Sequence, residues 1–128
     1  MLNRIDIMGR LTGDPELRRT QSGTAVASFT IAVERDYKPE GGEKETDFFD
    51  VVAWRKAAEF VCRYFAKGRM AVIDGRLQTR KWTDKNGGNR VAVEIIADSV
   101  YFGDSKKSVP DGENEPVELE YDDGDLPF

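Results

Sequence analysis

Residues 45–68 read ETDFFDVVAWRKAAEFVCRYFAKG, and the pattern of their apolar residues changes once, at Arg55. Up to Trp54 the segment predicts a β-strand with two distinct faces. From Arg55 to Lys67 the apolar residues fall at i, i+3 and i+4 spacing, which predicts an amphipathic helix that ends at Gly68. The segment therefore predicts a strand that leads directly into a helix.

Four further strands are predicted around this segment, over residues 2–12, 24–35, 69–82 and 90–101. The loop over residues 38–43 is rich in turn formers, and the loop over residues 83–89 contains an Asn-Gly turn signal. The resulting order is three strands, one helix and two strands. This order predicts an all-β protein, a five-stranded OB barrel with one α-helix between strands 3 and 4. The alternative is another small α+β meander.

The composition excludes most catalytic chemistry. The chain of 128 residues contains no His and a single cysteine, Cys62, so it lacks the usual general base and the commonest metal ligand. We expect no enzyme activity, no cofactor and no metal. No apolar run reaches 18 residues, and residues 1–6 lack the apolar region of a signal peptide. We therefore expect no membrane partner and a cytoplasmic, nucleoid-associated location.

The charge divides the chain into two parts of opposite sign. Residues 108–128 carry eight acids and no Lys or Arg; since the whole chain has a net charge of −5, residues 1–107 have a net charge of +3 (−5 minus −8). This split predicts a folded domain over residues 1–104 and a disordered acidic tail over residues 105–128. The tail ends in Leu126-Pro127-Phe128, an apolar tip that suits binding to partner proteins better than a solubilising role.

Strand alternation places several aromatic residues outside the core. In the third predicted strand Phe48 and Trp54 share a face with Asp50, which predicts that both rings are exposed or line a groove. Trp82 falls on the polar face of the fourth predicted strand, at the mouth of the loop over residues 83–89. Tyr37 starts the other loop, and its ring is exposed only if the chain turns there. Packing of Trp54 in the core is the alternative.

Exposed rings interleaved with cations favour binding to unpaired nucleic acid. Every base presents a π-face, so aromatic stacking tolerates any sequence, while Lys and Arg contact the phosphates and make binding salt-dependent. Duplex recognition is disfavoured because stacked base pairs hide their faces. The candidate phosphate contacts are Arg4, Arg10, Arg35, Arg55, Lys56, Arg76, Arg80, Lys81, Lys85 and Arg90.

Several stretches of the chain, in order, resemble the bacterial-type single-stranded DNA-binding proteins. The similar blocks include Thr46-Asp47-Phe48-Phe49, Trp54-Arg55-Lys56-Ala57-Ala58-Glu59 and residues 74–82, DGRLQTRKW. The resemblance spans residues 1 to about 102, and the end of the chain, residues 122–128, is similar to the acidic tip of that family.

The resemblance implies an OB domain that assembles as a homotetramer and wraps single-stranded DNA. It implies that Tyr37, Phe48, Trp54 and Trp82 stack on bases. It further implies that the tip binds replication, recombination and repair enzymes, with Phe128 as the anchor. The tip residues are Asp122, Asp123, Asp125, Leu126, Pro127 and Phe128. The chain departs from the family pattern at Gly124, which interrupts the acidic run, and in its short acidic linker.

Two alternative functions stay open at this point. An OB module of cold-shock or translation-factor type would bind RNA, although it would not need the acidic end. An OB-fold nuclease would need carboxylates to hold a metal ion, and the candidates are Asp47, Asp50, Asp74 and Glu94.

Overall fold

The computed structural model describes residues 1–37 and 39–104. Lys38 and residues 105–128 lie outside the described residues. The predicted disordered tail falls on that part of the chain. So do the predicted partner-binding residues Asp122, Asp123, Asp125, Leu126, Pro127 and Phe128.

The described residues form six strands and one helix. In chain order these are β1 (Ile5–Leu11), β2 (Glu16–Arg19), β3 (Ala25–Glu34), β4 (Thr46–Trp54), α1 (Arg55–Tyr64), β5 (Met70–Thr83) and β6 (Asn89–Phe102). All five predicted strands are present, and the helix lies between β4 and β5. The prediction did not include β2, a short strand whose four residues are all exposed. Because ELRR shows no alternation of apolar and polar residues, its sequence carries no strand signal.

Five of the strands close into a barrel, which confirms the predicted fold class. The strands follow the order β1-β5-β6-β4-β3, and β1 also pairs with β3 through Arg10↔Ala32 and Leu11↔Ile31. This last pairing closes the ring, while β2 adds to the outer edge of β3. The described residues contain no helix long and apolar enough to cross a membrane.

The inward-facing residues of the strands and one face of α1 form a single core. Ile31, Val51 and Ile73 are completely buried, and Phe60 and Val61 of α1 cover the end of the barrel. The helix stops at Tyr64, three residues before the predicted end. Phe65 turns to an extended conformation, which brings its ring against that of Phe102 with the centroids 4.9 Å apart. Burial of this ring decides the end of the helix.

A β-bulge between Asp74 and Gly75 separates the barrel part of β5 from a hairpin that extends beyond it. The pairing of β1 with β5 ends at Ile5↔Gly75, and from Gly75 onward β5 pairs only with β6. Leu77 continues the alternation of the buried Ala71 and Ile73, yet it is 42% exposed. The barrel has ended before Leu77, and little protein remains to cover the side chain.

Candidate nucleic-acid interface

The outward sides of β4, β6 and β5 form one continuous surface, which we call the outer face. Directly paired residues on neighbouring strands point to the same side of a sheet. Asp50 pairs with Glu94 and Val52 with Ile96, while Gln78 pairs with the same Glu94. Alternation along each strand then extends the surface in both directions. Its residues are Phe48, Asp50, Val52, Trp54, Arg76, Gln78, Arg80, Trp82, Arg90, Ala92, Glu94 and Ile96.

Three of the four predicted stacking rings lie on the outer face. Phe48 is 64% exposed, Trp54 41% and Trp82 44%, so packing of Trp54 in the core is excluded. Tyr37 is also exposed. The strand β3 ends at Glu34, so Tyr37 no longer follows the alternation of that strand. The chain therefore leaves the strand before Tyr37, which was the condition for exposure of its ring. Exposed rings of this size on a sheet are a candidate stacking surface.

A groove beside Trp54 brings cations from two parts of the chain together. Trp54, Arg55, Lys56, Arg76 and Ile96 line this groove, which has a volume of about 940 Å³. Arg55 has a φ angle of 58°, a left-handed conformation that is unfavourable for an arginine and marks the sharp junction between β4 and α1. Among the described residues, no carboxylate forms an ion pair with Arg55, Lys56 or Arg76, so their charges are free to meet an anion.

The remaining predicted cations are distributed more widely. Arg10 donates to the carbonyl of Gly68 at 3.0 Å, which ties β1 to the loop before β5. Lys85 lies in the loop between β5 and β6. Lys81 pairs with Val91 and so points to the opposite side of the sheet from Trp82. The structure therefore does not bring Lys81 to the outer face.

Four predicted cations already have carboxylate partners. Arg4 contacts Asp74 and Asp98, and Arg35 contacts Asp47 and Glu45. Arg80 contacts Glu94, and Arg90 contacts Asp84. Hydrogen bonding from Arg35 lowers the pKa of Asp47, which remains charged under ordinary conditions.

The loop between β5 and β6 is organised by Asp84, a residue that the sequence reasoning missed. Its carboxylate accepts hydrogen bonds from the backbone N–H of Gly88 at 2.7 Å and of Asn86 at 3.0 Å. These bonds lower the pKa of Asp84, with the Gly88 N–H as the largest cause and the Arg90 side chain second. The available sequence signal was an Asp at the start of a Gly-rich turn, where its side chain bonds to the following backbone.

The carboxylates considered for a nuclease are occupied by other partners. Asp47, Asp74 and Glu94 each contact an arginine, and Asp50 accepts a hydrogen bond from Thr30 at 2.9 Å. Over residues 1–37 and 39–104 no group of three His, Cys, Asp or Glu residues could hold a metal ion. Cys62 packs against the core, and burial raises the pKa of its thiol. The described surface therefore suits binding by stacking and charge.

Comparison with known proteins identifies the family. Residues 2–103 match the profile of the single-strand binding protein family, which is most of the chain. The chain belongs to this family. Members of the single-strand binding protein family are DNA-binding, non-enzymatic proteins with an OB fold.

Named relatives in the single-strand binding protein family are similar over most of the chain. The "Single-stranded DNA-binding protein 1" of Staphylococcus aureus strain Mu50 is 51% identical over 108 residues, which cover 84% of this chain and 69% of the relative. The "Single-stranded DNA-binding protein 2" of Listeria monocytogenes is 46% identical over 112 residues, 88% of this chain and 70% of the relative. A further S. aureus protein, from strain MSSA476, is 40% identical over an alignment that spans both chains.

Proposed function

We propose that this protein binds single-stranded DNA largely independently of sequence, by aromatic stacking and phosphate contacts. One observation carries the proposal: Phe48, Trp54 and Trp82 are all exposed on the outer face of one sheet. Stacking of a base on such a ring contributes about 1–3 kcal/mol and tolerates every base. The three rings, the groove cations Arg55, Lys56 and Arg76, and membership of the single-strand binding protein family support the proposal together.

The shape of the outer face favours unpaired strands over duplex DNA. The rings project from strands of a sheet, where a splayed-out base can lie flat against each ring. In a duplex the bases stack on one another and hide their faces. The binding energy of this surface is therefore available only to a strand whose bases are unstacked.

Tryptophan fluorescence tests the proposal directly, because Trp54 and Trp82 are the only indoles in the chain. Oligo(dT) should quench the emission, and Trp54→Phe and Trp82→Phe should each keep part of the quenching. A duplex of equal length serves as the control and should leave the emission nearly unchanged at the same concentration. Unchanged emission at saturating oligo(dT) would refute the assignment. Equal or tighter binding of oligo(U) would favour the RNA-binding alternative.

The cellular role that we propose is protection of single-stranded DNA during replication, recombination and repair, in the cytoplasm. We further propose that residues 1–104 form the DNA-binding domain and residues 105–128 a separate tail. Asp122, Asp123, Asp125, Leu126, Pro127 and Phe128 would then recruit partner enzymes. The opposite charges of the two parts and the resemblance of the tip support this division. Deleting residues 108–128 should leave the affinity for DNA equal or higher and abolish enzyme binding, whereas a large loss of DNA affinity would overturn the division.

We propose also that the protein assembles as a homotetramer. Leu77, Val91 and Val93 lie on the reverse side of the β5–β6 hairpin, opposite the outer face, and all three are exposed. Burial of such aliphatic side chains against other copies of the chain would remove them from water. A mass measurement in solution distinguishes four chains from one, and a monomer at micromolar concentration would refute the assembly.

A further inference from the structure

Four of the predicted phosphate-contacting arginines have carboxylate partners, and they fall into two groups that differ in which nitrogens donate. In Arg35, Nε and Nη2 donate to Asp47 at 2.9 and 3.0 Å, and Nη1 is 3.5 Å from Glu45. In Arg4, Nη2 contacts Asp74 and Nη1 is 3.6 Å from Asp98. The terminal nitrogens of this group are therefore engaged within the protein, which leaves them poorly placed to bind a phosphate.

Arg80 and Arg90 are held in a different way, through Nε. Nε of Arg80 is 3.0 Å from Oε2 of Glu94, and Nε of Arg90 is 2.9 Å from Oδ2 of Asp84. Among the hydrogen bonds of the described residues, those of these two arginines are donated by Nε and none by a terminal nitrogen. A guanidinium has five N–H donors, so a bond to Nε leaves four, including the two at the outer end that match a phosphate.

The exposure of these side chains agrees with that geometry. The arginines are more than half exposed, whereas the Glu94 side chain is 14% and the Asp84 side chain 17% exposed. The carboxylates therefore lie close to the protein and the guanidinium ends lie toward solvent. Charged groups that are mainly exposed contribute little to stability as ion pairs. The arrangement is better explained as a way to direct the terminal nitrogens of Arg80 and Arg90 toward solvent, where they can bind a ligand.

Both arginines flank a predicted stacking ring. Arg90 pairs directly with Trp82, and Arg80 lies two residues before Trp82 on the same side of β5. Asp84 is itself fixed, because its Oδ1 accepts from the backbone N–H groups of Asn86 and Gly88 while its Oδ2 faces Arg90. Both guanidinium groups are therefore anchored beside Trp82 by carboxylates of the protein.

We propose that Glu94 and Asp84 are positioning residues, which hold Arg80 and Arg90 through Nε so that their terminal nitrogens bind the phosphates on either side of a base stacked on Trp82. The proposal rests on the proposed function and deepens it. It assigns to two acidic residues a favourable effect on the binding of a polyanion.

This effect has the opposite sign from the effect of charge alone. Removing a carboxylate from a surface that binds phosphates should strengthen binding if only net charge counts. If positioning dominates, its removal frees a long side chain that must be ordered again on binding. Binding weakened about three- to tenfold corresponds to about 0.7–1.4 kcal/mol, which is within the usual cost of ordering one such side chain.

The experiment measures the affinity of the full chain for oligo(dT) at fixed salt. Glu94→Ala should bind about three- to tenfold more weakly than the unchanged protein. Glu94→Gln, whose amide oxygen can still accept from Nε, should bind within about twofold of the unchanged protein. Asp84→Ala should weaken binding, and Asp84→Asn should weaken it as well, because a single amide oxygen cannot accept both from the backbone N–H groups and from Nε of Arg90. Asp47→Ala is the matched control: because it releases Nε and Nη2 of Arg35, its affinity should be equal or higher.

Arg80→Lys provides a second test that leaves every carboxylate in place. It keeps the positive charge but loses both Nε and the planar fork, so it should bind about three- to tenfold more weakly. Denaturation midpoints of all variants show whether each is folded. If Glu94→Ala does not fold, the affinity of Arg80→Lys tests the positioning of Arg80 in its place.

Three results would overturn the proposal. The first is equal or tighter oligo(dT) binding by folded Glu94→Ala, and the second is unchanged binding by Arg80→Lys. The third is a loss of affinity in Asp47→Ala as large as that in Glu94→Ala. If the unchanged protein fails to bind oligo(dT), the proposed function fails instead. The two failures are therefore distinguishable.

Discussion

The close approach of the β6 backbone to Gly75 leads to a prediction about stability. A Cβ at Gly75 would lie 2.1 Å from the carbonyl oxygen of Ile96, 3.0 Å from its carbonyl carbon and 3.1 Å from Cα of Ala97. All three atoms belong to the backbone of β6, so no side chain can rotate to make room. Gly75 does not have a positive φ, so Gly75→Ala tests this steric conflict without adding strain from a left-handed backbone.

The cost of Gly75→Ala follows from the distance that must be recovered. Side-chain Cβ atoms essentially never come within 3.0 Å of another atom, so β5 and β6 must separate by at least 0.9 Å (3.0 minus 2.1) at this point. That movement breaks or lengthens the neighbouring ladder hydrogen bonds, at about 1 kcal/mol each, and overpacking adds about 1–3 kcal/mol. We expect a loss of about 3 kcal/mol, a large part of the roughly 5–15 kcal/mol of a typical domain.

Urea unfolding at one fixed protein concentration measures this loss. The matched control is Gly13→Ala, since a Cβ at Gly13 has no atom within 4 Å. The control should be neutral or stabilising by about 0.4–1 kcal/mol, because alanine restricts the unfolded chain. A Gly75→Ala protein within about 0.5 kcal/mol of the unchanged chain would show that β5 and β6 can separate freely, and the reasoning from the bulge would be wrong.

Three further predictions concern the outer face and its hairpin. Arg76→Ala should reduce the slope of log K against log salt for oligo(dT) by about 0.7, one phosphate contact, whereas Arg63→Ala on α1 should leave the slope unchanged. Phe48→Leu should weaken oligo(dT) binding by about 1–3 kcal/mol through the loss of one stacking ring, and a change below about twofold in a fluorescence titration would remove Phe48 from the site. The folded-state pKa of Asp84 is lowered, so its contribution to stability is present above the unfolded pKa of about 3.8 and is lost as the pH falls through the folded value. The denaturation midpoints of the unchanged protein and Asp84→Asn should therefore converge as the pH falls below about 4, and a constant gap would contradict this role.

The sequence predicted the fold because the relevant signals are local. Alternation in residues 24–35 and the change of period at Arg55 depend only on neighbours in the chain, and the order of the elements then restricts the topology. The exposure of Phe48 and Trp54 followed from strand parity in the same way. The strand β2 was missed because ELRR has no apolar alternation, although it pairs with β3 over all four residues.

Strand parity and composition by themselves predicted the five main strands, the single helix and the exposure of Phe48 and Trp82, since each of these follows from the residue types along one segment. The order of these elements then favoured a barrel, and the pairing of β1 with β3 closes it. Tertiary structure decided which cations remain available to a ligand. Arg35 and Arg80 look alike in the sequence, yet Asp47 accepts hydrogen bonds from both Nε and Nη2 of Arg35, while Glu94 accepts one from Nε of Arg80. Those contacts depend on strand register and on the bulge at Gly75, which join residues far apart in the chain. Pairing between distant segments fixes where each side chain meets its partner, and no local pattern records it.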